Sequence, residues 1–152
     1  MEEISHSLNF PTFEDIVKTN LLHLELAGQR WVGVDNLKDR GSLEWVLEVI
    51  QYPLFGVDRY PTLAEKAAIL AWKIIAGHVF WDGNKRTGMS ILHGFLRRNG
   101  YRLDISQDEV VEIACRIAGK CSGETWAYED FAQWVRDKMV FDEGAVAPAL
   151  TP

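Results

Sequence analysis

Two segments leave this chain little choice of fold. The first follows Thr62-Leu63-Ala64-Glu65, a capping box of the S/T-x-x-E kind, and reads as a helix to about Ala76. Its apolar residues, Ala67, Ile69, Leu70, Trp72, Ile74 and Ile75, fall nearly all round the helix. A helix without a wide polar face belongs in the middle of a domain. The second begins near Asn84 and carries Met89, Ile91, Leu92, Phe95 and Leu96. It stops at Asn99-Gly100, a common C-terminal signal. Two helices that must both be buried, in a chain of 152 residues, predict one domain built around them.

The other elements read as helices placed around this pair. Thr12-Phe13-Glu14-Asp15 resembles an N-terminal cap, with Gly28 as the stop. Ser42 opens a helix to about Gln51, ended by Pro53. Another opens at Ser106-Gln107-Asp108-Glu109, and a last one covers about Tyr128 to Met139. Tyr52 to Pro61 holds prolines near both ends, a glycine and several aromatics, so it reads as an extended loop or small hairpin. Strand signals are weak throughout, and the predicted class is all-α with at most that small β-hairpin. FDEGAVAPALTP loses all periodicity, which predicts a domain over residues 10–139 and a flexible tail over 140–152.

Composition narrows the function classes. Hydrophobic residues at 47% and charged residues at 25% are a soluble globular mix. A net charge of -6 argues against a broad nucleic-acid surface. MEEISHSLNF lacks the pattern of a signal peptide, and no stretch reads as a membrane span, so the expectation is a cytoplasmic protein. Cys115 and Cys121, with no histidines nearby, read as reduced core thiols.

The two buried helices are joined by HVFWDGNKRTG, His78 to Gly88. This stretch includes the first turn of the second helix, where free N–H groups and the positive end of the helix dipole lie. Gly83 lets a ligand approach the backbone, and Lys85 and Arg86 add positive charge. Together these describe an anion site, most often for phosphate. Asp82 has the wrong sign for the anion but suits a Mg2+ between it and phosphates. His78, four residues earlier, can accept a proton. Base, metal ligand and phosphate cradle are the parts of nucleotide-dependent transfer. Each residue alone has a plainer reading: a structural histidine, Asp82 capping the helix at Asn84, and Lys85 and Arg86 as a solvated face. The glycines match neither the P-loop nor G-x-G-x-x-G.

HVFWDGNKRTG resembles H-x-F-x-[D/E]-G-N-[G/K]-R, the signature of the Fic/Doc family. NKRT in place of N-G-R-x-x-R resembles the Doc (death-on-curing) toxin branch, as do the flanks LRRNGY and DNLKDRGSLEWVLEVIQYPLFG. The likeness runs from about Phe10 to Lys138 and implies the compact helical fold of that family. It implies His78 as general base toward a hydroxyl of a target protein, Phe80 as a buried anchor and Asp82 as the holder of Mg2+. It implies Gly83, Asn84 and Lys85 as binders of phosphate oxygens and Arg86 as their clamp. It places the target-binding flap at Tyr52, Pro53, Leu54, Phe55, Gly56, Val57, Asp58, Arg59 and Tyr60, to pair with an extended segment of the target by strand addition.

Two departures from the adenylylating branch set the expected reaction. Lys85 stands where that branch has glycine, and Met89 where it has a second arginine. In Doc-like members such changes accompany an inverted ATP, so the resemblance implies transfer of the γ-phosphate to a Ser or Thr hydroxyl, with a translation factor suggested as target. Adenylyl transfer (AMPylation) and a non-catalytic phosphate-binding or partner-binding module are the other readings. The inhibitory motif [S/T]-x-x-x-E-[G/N] has its nearest match in Thr125-Trp126-Ala127-Tyr128-Glu129-Asp130, which reads as the start of the last helix. Control by a separate antitoxin chain is the expectation that follows.

Overall fold

The structure, a computed structural model, describes residues 8–120 and 123–142. Six helices account for most of this: α1 (Phe13–Leu26), α2 (Arg40–Gln51), α3 (Leu63–Ala76), α4 (Asn84–Arg98), α5 (Gln107–Ala118) and α6 (Tyr128–Lys138). Two short strands, β1 (Tyr101–Leu103) and β2 (Met139–Phe141), pair antiparallel with Tyr101 opposite Phe141. No helix of the described residues is long and apolar enough to cross a membrane.

The predicted central pair is central. α3 packs against α2, α4, α5 and α6, and Ala68, Leu70, Ala71, Ile74 and Ile75 are fully buried. α4 lies close along it because Gly88 has no side chain. A Cβ there would collide with Ile75 Cγ1 and stand 3.2 Å from Ala71 O. One charge is built into α3. Lys66, 1% exposed, donates to Ile50 O at 2.9 Å and pairs with Asp58 at 3.1 Å. A buried ammonium is tolerated only when paired and hydrogen-bonded in this way. The pair also ties the loop after α2 to the core.

The helix starts follow their caps. At α1 the reciprocal box forms, with Asp15 N donating to Thr12 Oγ1 and Thr12 N to the Asp15 carboxylate. These bonds hold the Asp15 carboxyl below its ordinary pKa. Thr62 caps α3, accepting from Glu65 N at 3.1 Å, while its hydroxyl donates to the Glu65 carboxylate. Ser106 caps α5. α2 begins at Arg40 rather than Ser42, because Asp39 is the cap and Ser42 N donates to its carboxylate at 3.1 Å. α6 begins at Tyr128, and Asp130 accepts from Ala127 N at 2.9 Å, so Thr125 to Asp130 is the entry to this helix.

The loop from Tyr52 to Tyr60 contains the expected small hairpin in its shortest form. Leu54 and Val57 exchange both backbone hydrogen bonds, at 2.9 and 3.0 Å. The residues between them, Phe55 and Gly56, have φ of 51° and 77°. Positive φ at both positions is the type I′ turn that matches strand twist.

Three findings depart from the sequence reading or extend it. The β1–β2 pair was not signalled, since three residues on each side are too few to show alternation; it joins segments far apart in the chain and carries pairing to Phe141, across the boundary placed between domain and tail. The remainder of that tail, 143–152, lies outside the described residues. Cys115 is disulfide-bonded, which corrects the expectation of a reduced thiol there. Gly119, at φ 71°, turns the chain back at the end of α5, and Lys120 N donates to Cys115 O at 3.2 Å. Cys121 lies outside the described residues.

Candidate active site

The loop between α3 and α4 is held from both sides. Val79 and Phe80 are fully buried, which seats the loop in the core, and Phe80 takes the anchor position expected of it. Asn84 fixes the return of the chain: its Oδ1 accepts from Phe80 N at 2.9 Å and its Nδ2 donates to Phe80 O at 2.8 Å. The outer strap is the segment between α1 and α2. Lys38 N and Asp39 N both donate to Val79 O, Leu37 bridges Phe80, and Trp81 N donates to Asn36 O at 3.1 Å.

Beneath the loop lies a buried amide network. Asn20 Nδ2 donates to Asp82 O at 2.9 Å and to Thr87 Oγ1 at 3.0 Å. Asn36 Nδ2 donates to Asn20 Oδ1 at 3.0 Å and to Asp82 O at 3.2 Å. Asn20, Asn36 and Thr87 are at most 1% exposed. Buried amides are costly unless bonded, and these are bonded to the site itself. Sequence reasoning missed both asparagines. Asn20 left a trace, for it stands between Ile16 and Leu24 on the buried stripe of α1.

α4 starts unlike its neighbours. α1, α2, α3 and α5 each have a side chain accepting at the N-terminus. At α4 the cap is Gly83, with no side-chain bond and no acidic residue in the first turn. Gly83 is required here. Its φ is 81°, and a Cβ would stand 2.9 Å from Asn20 Nδ2. The first-turn N–H groups therefore face outward without a partner from the helix. Asp82 does not cap α4; its Oδ1 accepts from the adjacent Gly83 N at 2.8 Å.

All six positions singled out in the loop, His78, Asp82, Gly83, Asn84, Lys85 and Arg86, line one cavity of about 300 Å³. His78, Asp82, Lys85 and Arg86 are exposed at its surface. His78 has φ 51°, a conformation that costs a non-glycine residue about 1–2 kcal/mol. The buried residues that follow it hold it there, as strained residues at functional sites are held. The Asn84 side-chain amide is committed at both ends to Phe80, which leaves its backbone N–H for an anion. None of the residues from Tyr52 to Tyr60 lines this cavity.

His23 of α1 also lines it and was not foreseen. Its Nε2 is 2.7 Å from Ser90 Oγ. Burial, and then the Arg86 guanidinium, hold His23 below its ordinary pKa. The described residues contain no group of three or more His, Cys, Asp or Glu side chains able to hold a metal alone. Asp82 is the cavity's carboxylate, and one carboxylate with substrate phosphates is the usual Mg2+ arrangement.

Residues 12–96 match the model of the Fic/DOC family. The chain is 36% identical over 86 residues to a protein named Toxin Doc from Mycolicibacterium smegmatis, covering 53% of this chain and 66% of that one. It is 30% identical over 95 residues to Protein kinase doc of Escherichia phage P1, covering 62% and 71%. The matches thus span about two thirds of each relative.

Proposed function

We propose, from the premise that this chain belongs to the Fic/DOC family, that it is a Doc-like toxin moving the γ-phosphoryl group of ATP to a Ser or Thr hydroxyl of a target protein. The observation that carries the reading is the N-terminus of α4, capped by Gly83 without any side-chain bond and opening into the same cavity as His78 and Asp82. The names of the two relatives, a toxin and a protein kinase, support it.

The residues divide the work as follows. The backbone N–H groups of Asn84, Lys85 and Arg86 receive phosphate oxygens at the positive end of α4. Arg86 adds a bidentate guanidinium contact, and Lys85 a point charge. Asp82 would hold Mg2+, which neutralises charge on the phosphates when bound. The α1–α2 strap and the asparagine pair keep the Asp82 backbone in place. His78 takes the proton of the target hydroxyl as that oxygen forms its bond to the γ-phosphorus. The bond from the γ-phosphorus to the bridging oxygen breaks, and ADP leaves.

The type I′ hairpin at Leu54–Val57 presents the target. Phe55 at its tip is 95% exposed, and the hairpin base is fixed by Lys66 and Asp58. Edge backbone at this hairpin can pair with an extended segment of the target. A separate antitoxin chain would restrain the activity in trans, and the setting is cytoplasmic. Incubation with ATP, Mg2+ and a cell lysate tests the reading: wild type should label a protein and His78→Ala should not. Equal labelling by both would contradict it.

A further inference from the structure

The cavity beside the signature loop takes part of its lining from the end of α5. Ala118 and Lys120 line it together with His78, Asp82, Lys85 and Arg86. The backbone there is fixed. Gly119 N donates to Arg116 O at 3.3 Å and Lys120 N to Cys115 O at 3.2 Å, with Gly119 at φ 71°. These are the two bonds of a Schellman closure, which ends a helix and sets where the next side chain starts. Trp126 N also donates to Arg116 O, at 3.3 Å, and so ties the same turn to the entry of α6.

The charges on this lining are one-sided. Lys85, Arg86 and Lys120 stand against a single carboxylate, Asp82, in a chain whose net charge is -6. Lys85 and Arg86 come from the first turn of α4. Lys120 is exposed and comes from a separate element. Among the described residues no carboxylate stands within ion-pair distance of it. Cations brought from two elements to one concave site concentrate positive potential there, and that potential attracts a polyanion.

We propose that Lys120 is a phosphate-binding residue of this cavity, its ammonium reaching the phosphate chain from the end of α5 while Arg86 and the backbone N–H groups hold it from α4. This rests on the reading that the phosphates lie at Gly83–Arg86. Lys120 also suits the negative end of the α5 dipole. That contribution stabilises the helix and leaves ligand affinity unchanged, so a binding measurement separates the two roles.

The test titrates inorganic tripolyphosphate with Mg2+ into the wild-type protein, Lys120→Gln, Lys120→Glu and Lys120→Arg. Affinity should fall about threefold with Gln and about tenfold or more with Glu, and stay near wild type with Arg. Wild-type affinity in Lys120→Gln overturns the contact and leaves the phosphate site at α4 standing. Lys120→Arg as weak as Lys120→Gln overturns it too, because charge is then not what binds. Wild type binding no tripolyphosphate overturns the phosphate reading and this inference together. Lysine acetylation of the wild type, with and without tripolyphosphate, gives a readout independent of the variants' folding. Protection of Lys120 is expected, but not of Lys138, which pairs with Glu109. Lys120 acetylated equally in both samples overturns the proposal.

Discussion

Asn20 Nδ2 donates to Asp82 O at 2.9 Å, joining the buried face of α1 to the carboxylate-bearing turn of the site 62 residues later. The bond places a stability determinant and a functional position in one network. Asn20→Ala leaves Asn36 and Thr87 short of partners in a fully buried place. The expected cost is about 1–3 kcal/mol, read as a lower denaturant midpoint. Transfer should fall as well, because the Asp82 turn loses a tether. A variant of unchanged stability would mean that water replaces the amide without penalty.

Gly88→Ala tests the central packing. The added methyl meets Ile75 and lies 3.2 Å from Ala71 O, so α3 and α4 must separate. Overpacking of this kind costs about 1–3 kcal/mol. Thermal denaturation should show the loss. A melting temperature equal to wild type would show that the helices give way more easily than the contact implies.

Asp82→Ala should weaken Mg2+-dependent nucleotide binding while leaving stability nearly unchanged. The reason is structural: Gly83, not Asp82, is the cap of α4. Calorimetry with and without Mg2+ separates the two effects. Binding that is unaltered in the presence of Mg2+ would remove Asp82 as its ligand.

Acid should destabilise the protein before its carboxylates titrate. Burial holds His23 and His93 below their ordinary value of 6.5, with Arg86 and Arg97 adding to the shift. Below pH 6.5 the unfolded chain therefore binds more protons than the folded one. The stability present above that pH is lost as pH falls toward the lowered folded values. Urea midpoints at about pH 7.5 and about pH 5.5 should show the drop, and His93→Gln should reduce it. A midpoint that is flat or rises toward acid would contradict the burial of both rings.

Much of this was legible because it is local. The Thr62 box and the apolar surround of α3 place the core, and HVFWDGNKRTG contains six residues that line one cavity. What was not legible depends on distant partners. β1 and β2 pair across the sequence with three residues each. Asn36 earns its place through bonds to Asn20 and Asp82, which no local pattern shows. His23 belongs to α1 and meets Ser90 of α4 only once the chain has folded. The cysteine reading failed for a related reason: spacing alone does not show that Gly119 folds the chain back on Cys115.

The direction in which ATP lies decides which phosphorus is attacked. In the proposed reading Arg86 is the phosphate clamp, whereas Met89, 4% exposed and part of the core, offers no second one. The most direct measurement supplies the protein with Mg2+, a cell lysate and ATP labelled at either the α or the γ position. Label arriving on a protein from the γ position alone, with ADP released, is the predicted result. Label arriving from the α position would contradict the account and make the chain an adenylyltransferase.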